Sequence, residues 1–168
     1  NLEKDNYCLV TLHRPSNVDT KDNIEKLIDL LNRMSDKIKI IFPVHPRTQK
    51  ALDRSNTQLS KRIILTSPLS YIKFLGLIYG SKLVVTDSGG IQEETTFLDI
   101  QCITVRENTE RPVTVSLGTN HLVGTDNSSI LETFYSIIDG NIKLGKIPPK
   151  WDGKSSERIA KIIKQYIS

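Results

Sequence analysis

Cysteine is scarce in this 168-residue chain: only Cys8 and Cys102 are present. They form no Cys-x-x-Cys pair and no disulfide framework. Each lies in a short apolar run and reads as a small buried hydrophobe, so a reducing cytoplasm is the expected compartment. Long apolar runs are missing as well. No stretch approaches the ~18 consecutive apolar residues of a membrane span. No basic start leading into an apolar run marks a secretory signal. Histidine is limited to His13, His45 and His121, too widely separated for a metal-ligand spacing, so no metal is expected. Charge of one sign is not concentrated either. The formal charge is +4, and Lys61-Arg62 is the nearest approach to a basic run, which argues against a nucleic-acid partner. The small positive excess suits an anionic ligand without requiring one.

What remains is an ordinary globular composition, with 38% hydrophobic and 25% charged residues in a length that fits one domain. Short β-rich runs alternate with segments of helical period. Asn6 to Leu12 reads as a strand. Asp19 to Met34 reads as a helix with Ile24, Leu27, Ile28, Leu31 and Met34 on one face, capped by Asp19 or Thr20. Strands are expected at 37–44, 62–65, 83–86, 101–105 and 120–123. A short helix should follow Pro46. Ser67-Pro68 signals a helix start, with Ile72, Leu75 and Tyr79 as its buried stripe. Further helices are expected at 90–98, at 112–117, after Asp126 or Ser128 (Ile130, Phe134, Ile137, Ile138), and after Gly153 (Ile159, Ile162, Ile163, Tyr166). This alternation predicts a doubly wound α/β fold: a mainly parallel, Rossmann-like sheet covered on both faces. Such sheets bind ligands at the carboxyl ends of their strands, so the chemistry is sought in the loops that leave strands.

The sharpest of these loops is Thr86-Asp87-Ser88-Gly89-Gly90-Ile91-Gln92-Glu93-Glu94, which leaves a strand and opens a helix. Adjacent glycines let a bound group come close to the backbone. Free amides and the helix dipole favour an anion there. Ser88 adds a hydroxyl, and Glu94 is placed to accept from ribose hydroxyls. The loop is neither a P-loop nor a Gly-x-Gly-x-x-Gly fingerprint, and a plain strand-to-helix turn stays open on these residues alone. Arg106 and Arg111 bracket the next rim loop. They suit phosphate, or equally surface pairing with Glu107 or Glu110. His13-Arg14 follows the first strand and His45-Pro46-Arg47 the second, each pairing an imidazole with a guanidinium at a strand end. Phe74 could pack beside a base, or serve as a core aromatic.

Taken together, the segments Val10 to Arg14, Phe42 to Arg47, TDSGGIQEE at 86–94, Thr109 to Pro112, and Gly118 to Gly124 resemble the non-hydrolysing UDP-N-acetylglucosamine 2-epimerases. Many members carry Glu-Asn shortly after His-Arg, whereas Pro15-Ser16-Asn17 follows here. The resemblance implies one half of a two-domain glycosyltransferase-B-type fold. Residues 1–168 would form the single UDP-binding C-terminal domain, with an N-terminal half completing the active site and the full-length protein a homodimer. It also implies site roles. Ser88, Gly89 and Gly90 would hold the diphosphate, and Glu94 the ribose. Arg111 would contact the UDP, and Phe74 would sit by the uracil. His13 would be the catalytic-site residue near diphosphate and sugar, with Arg14 and His45 as weaker cleft contacts. No cofactor is implied. A non-catalytic UDP-sugar module and a UDP-dependent glycosyltransferase are the competing expectations.

Overall fold

The computed structural model describes residues 3–55 and 57–167. Six strands form one parallel sheet: β1 (Tyr7–Thr11), β2 (Lys39–Pro43), β3 (Ile63–Thr66), β4 (Leu83–Thr86), β5 (Gln101–Thr104) and β6 (Asn120–Leu122). Their spatial order is β3-β2-β1-β4-β5-β6. The chain therefore builds outward in one direction through β3, then returns to the centre and builds the other way. The reversal lies between β1 and β4, the position at which such sheets bind their ligands.

Alternation along the strands covers both faces. On β1, Cys8 and Val10 point into one core while Tyr7 and Leu9 point into the other, as the two-residue period of a strand requires. The larger core is closed by α2 (Lys21–Ser35), α3 (Pro46–Asp53) and α7 (Asn127–Ile138); the smaller by α4 (Tyr71–Gly80) and α5 (Gly89–Leu98). Helix α2 forms as its period predicts: Ile24, Leu27, Ile28, Leu31 and Met34 are all buried, and the Thr20 hydroxyl accepts the Asn23 amide at 3.1 Å, as an N-cap should. Asp126 caps α7 by accepting the Ser128 and Ser129 amides. A four-residue helix α1 (Pro15–Val18), unforeseen from the sequence, and α6 (Pro112–Ser116) sit on the rim loops.

Helix α4 departs from expectation in both its start and its buried face. Helix α4 begins at Tyr71 rather than at Pro68, because Ser70 takes the extended N-cap conformation. Its buried face is Ile78, with Phe74, Leu75 and Leu77 packed against the smaller core. Ile72 and Tyr79 are exposed, and Tyr79 instead lies under the Lys4 ammonium. The last helix, α8 (Ser155–Ile167), forms after Gly153 as expected. Its apolar side is uncovered, however: Ile159, Ile162, Ile163 and Tyr166 are all more than half exposed.

Candidate functional site

The switch point brings two loops together. Thr11 and Thr86 are register partners at the ends of β1 and β4, so Leu12 to Arg14 and Asp87 to Gly90 leave the sheet side by side. Asp87 is fully buried between them. Its Oδ2 accepts the backbone amides of His13 at 2.9 Å and Arg14 at 2.8 Å, together with the side-chain amide of Asn17 at 2.9 Å. The Arg14 Nε donates to the Asp87 carbonyl at 3.0 Å. A buried carboxylate is costly unless it is paired and hydrogen-bonded, and here its donors come from the neighbouring loop. Its other oxygen, Oδ1, has no such donor and is approached at 3.0 Å by His13 Nδ1. The His13 ring itself is half-exposed.

Helix α5 opens one residue further on. Ser88 is its N-cap in extended conformation, but no side chain caps the helix and no acidic residue occupies its first turn. The Ser88 amide is turned inward to the Thr86 hydroxyl at 3.0 Å. Neither Gly89 nor Gly90 has a positive φ, so backbone conformation does not demand glycine. Packing does not demand it either. A Cβ on Gly90 would meet nothing within 4 Å, and one on Gly89 only Glu110 Oε2 at 3.9 Å. The paired glycines thus hold open a space in front of uncapped helix amides, which is what an anion needs to approach them.

The wall beside this space is the loop after β5. Arg106 is buried and grips both Glu110 oxygens at 2.7 Å. The fork geometry is the strong form of this pair, and hydrogen bonding from Arg106 holds the Glu110 carboxyl down at about 2. Arg106 therefore pairs within its own loop. Arg111 reaches back to Glu93 of α5, Nε to carboxylate 2.7 Å. A buried polar chain fixes the loop from behind. Thr109 donates to Gln92 at 2.6 Å, Asn120 donates to Thr114 at 2.9 Å and to the same Gln92 oxygen at 3.3 Å, and Thr104 donates to Asn120 at 2.6 Å. The end of α5, the β5 loop, α6 and β6 are locked as one unit by these bonds.

The remaining expected residues lie around the same rim. Glu94 is half-buried, one turn into α5, with Oε2 unpartnered. Burial raises its carboxyl above the usual range, a Tyr71 hydrogen bond offsets part of this, and the Glu93 charge adds to the rise. It faces an open groove of about 460 Å³ between α4 and α5 that Tyr71, Leu75 and Trp151 also line. Phe74 is on α4, half-buried against the smaller core, so it is partly the core aromatic its residue type suggested. His45 follows β2, one strand further from the switch point, and is exposed. The Arg47 side chain lies outside the described part of the structure. Among the described residues no group of three or more His, Cys, Asp or Glu side chains is placed to hold a metal ion.

Neither motif nor spacing assigns a role to Asp87, Asn17, Gln92 or Asn120. Asp87 stood inside the glycine loop, and only its burial and its partners across the switch point reveal what it does.

A family model described as UDP-N-acetylglucosamine 2-epimerase matches residues 1–164. Two archaeal proteins named UDP-N-acetylglucosamine 2-epimerase are similar over nearly the whole chain. The one from Methanocaldococcus jannaschii is 40% identical, covering 95% of this chain and 44% of that protein. The one from Methanococcus maripaludis is 38% identical, covering 96% of this chain and 45% of that protein. The chain thus spans about half the length of these curated relatives. A crystal structure of the M. jannaschii UDP-GlcNAc 2-epimerase in complex with UDP-GlcNAc and UDP superimposes with a TM-score of 0.78 at 36% identity, over 98% of this chain and 46% of that one.

Proposed function

The chain belongs to the UDP-N-acetylglucosamine 2-epimerase family, and from that premise we propose that it is the UDP-binding, C-terminal half of an enzyme that interconverts UDP-N-acetylglucosamine and UDP-N-acetylmannosamine. A preceding domain completes the active site across the cleft, in a glycosyltransferase-B arrangement, and the complete protein works as a homodimer in the cytoplasm. The observation that carries the reading is the uncapped amino end of α5 at the sheet's switch point, kept open by Gly89 and Gly90.

The reaction removes the proton at sugar C2 and breaks the C1–O bond. UDP leaves with the bonding electrons and a C1=C2 double bond remains. UDP then adds back and the proton returns to the opposite face. Most of the proton transfer falls to carboxylates of the preceding half. The task of this half is to hold UDP while negative charge builds on its terminal phosphate. Preorganised donors suit that task because they cost no reorganisation as the charge develops. The amides at Gly89 and Gly90 and the Ser88 hydroxyl receive the diphosphate. Glu94 accepts from the ribose hydroxyls, which relieves its unpartnered buried oxygen. Arg111, held by Glu93, stands at the UDP, and Phe74 beside the uracil. His13 reaches the diphosphate and sugar from β1, with Arg14 and His45 as outer contacts.

The test is incubation of the complete protein with UDP-N-acetylglucosamine in deuterated water. Deuterium at C2 in both epimers supports the reading. Transfer of the sugar to an acceptor without exchange at C2 contradicts it, as does UDP-sugar binding without any turnover.

A further inference from the structure

We propose that Asp87 is the positioning residue of His13: its buried carboxylate holds the imidazole as the Nδ1–H tautomer and leaves Nε2 as the nitrogen presented to the substrate. The inference rests on the reading of His13 as the histidine at the reacting sugar diphosphate.

The geometry divides the work of the two carboxylate oxygens. Oδ2 is saturated by three N–H donors, from His13, Arg14 and Asn17, and fixes the backbone on which His13 stands. Oδ1 is buried and accepts no hydrogen bond, and His13 Nδ1 lies 3.0 Å from it, within ion-pair distance but off the line of a hydrogen bond. An ionised carboxylate can only accept. A small rotation of the half-exposed ring brings an Nδ1–H onto Oδ1, whereas a bare Nδ1 would turn a lone pair towards the carboxylate, so the pairing favours the proton on Nδ1. A ring nitrogen's state is set by the bond its partner nitrogen makes, so Nε2 carries the free lone pair. The burial is specific to this arrangement. His13 and Asp87 are 74 residues apart and meet only because β1 and β4 are neighbours at the switch point. A histidine needed solely for packing requires no fully buried anion behind it.

Asp87→Asn separates positioning from folding. The single amide oxygen is drawn to the three N–H donors at the Oδ2 position, where an NH2 would face only other donors. The NH2 then takes the Oδ1 position and donates to His13 Nδ1, which forces the Nε2–H tautomer. The loop survives and the imidazole is inverted. Long-range proton–nitrogen NMR on the 168-residue chain labelled at histidine reads the tautomer directly. Nδ1–H is expected for His13 in the wild type and Nε2–H in Asp87→Asn. An Nε2–H ring in the wild type, or an unchanged tautomer in a folded variant, overturns the proposal. Should the variant fail to fold, the wild-type spectrum decides alone. In the complete enzyme, Asp87→Asn should lower kcat by about 100-fold or more, in the range of lost acid–base function, with KM changed by no more than about threefold. Combining it with His13→Asn should cost little beyond His13→Asn alone, because the two residues act as a unit. Additive losses would overturn the coupling. Absence of epimerisation in the wild-type enzyme would instead reject the proposed function, and the NMR result would stand apart from it.

Discussion

Replacing Gly90 by alanine should move stability and UDP affinity in opposite directions, and the structure gives the size of each. Gly90 is on the surface in the first turn of α5, its φ is not positive, and an added Cβ meets no atom within 4 Å. Alanine at a site it can occupy without strain stabilises by about 0.4–1 kcal/mol, chiefly by restricting the unfolded chain. For a domain of this length that raises Tm by about 1–4 °C. The same methyl projects into the space before the amides, where the diphosphate must lie to be hydrogen-bonded. Pushing a phosphate oxygen off one charge-assisted bond costs about 1.5–3 kcal/mol, which weakens Kd by about 10- to 150-fold. Isothermal calorimetry with UDP and a thermal melt of the free chain read the two effects separately. A variant with higher Tm and unchanged UDP affinity would refute the reasoning, because it would make the glycines an ordinary turn. A variant with lower Tm would show that the open space is needed by the protein itself.

Two further predictions concern the walls of the site. Glu110 has its carboxyl lowered from 4.5 to about 2 by Arg106, so the stability from this pair is present above pH 4.5 and is lost as pH falls towards 2. Glu110→Gln should therefore remove part of the acid dependence of unfolding in that window while leaving the slope at neutral pH alone; identical acid-denaturation curves would contradict the pairing. Gly118 has the reverse situation to Gly90: a Cβ there would overlap Thr96 and approach the Thr114 carbonyl oxygen at 2.7 Å. Gly118→Ala should destabilise the domain by about 1–3 kcal/mol through overpacking, measured by urea unfolding, and a neutral result would show that α5 and α6 are not packed as described.

Much of this architecture was legible in the chain because local periodicity and burial agree. The stripe of α2 and the alternation of β1 each have one face to bury, so pattern and structure coincide. Helix α4 defeated the same reasoning. Tyr71, Ile72, Phe74, Leu75, Leu77, Ile78 and Tyr79 make it apolar nearly all round, and period alone does not choose a face. In α8 the period is clear and the helix forms, yet no described element covers the stripe. The glycine loop was readable as an anion site because its residues are contiguous. The Asp87 contact to His13 was not, since strand order is a property of the assembled sheet. The same holds for the Gln92–Asn120 bond, which spans 28 residues and joins groups that would each pass for surface polar residues.

The most direct test is an amide NMR titration of this chain with UDP. The account predicts saturable shifts that are largest at Gly89, Gly90 and Ile91, with smaller ones at His13 and Glu94. Saturable binding that leaves those three amides unmoved and shifts residues away from the loops after β1 and β4 would contradict it.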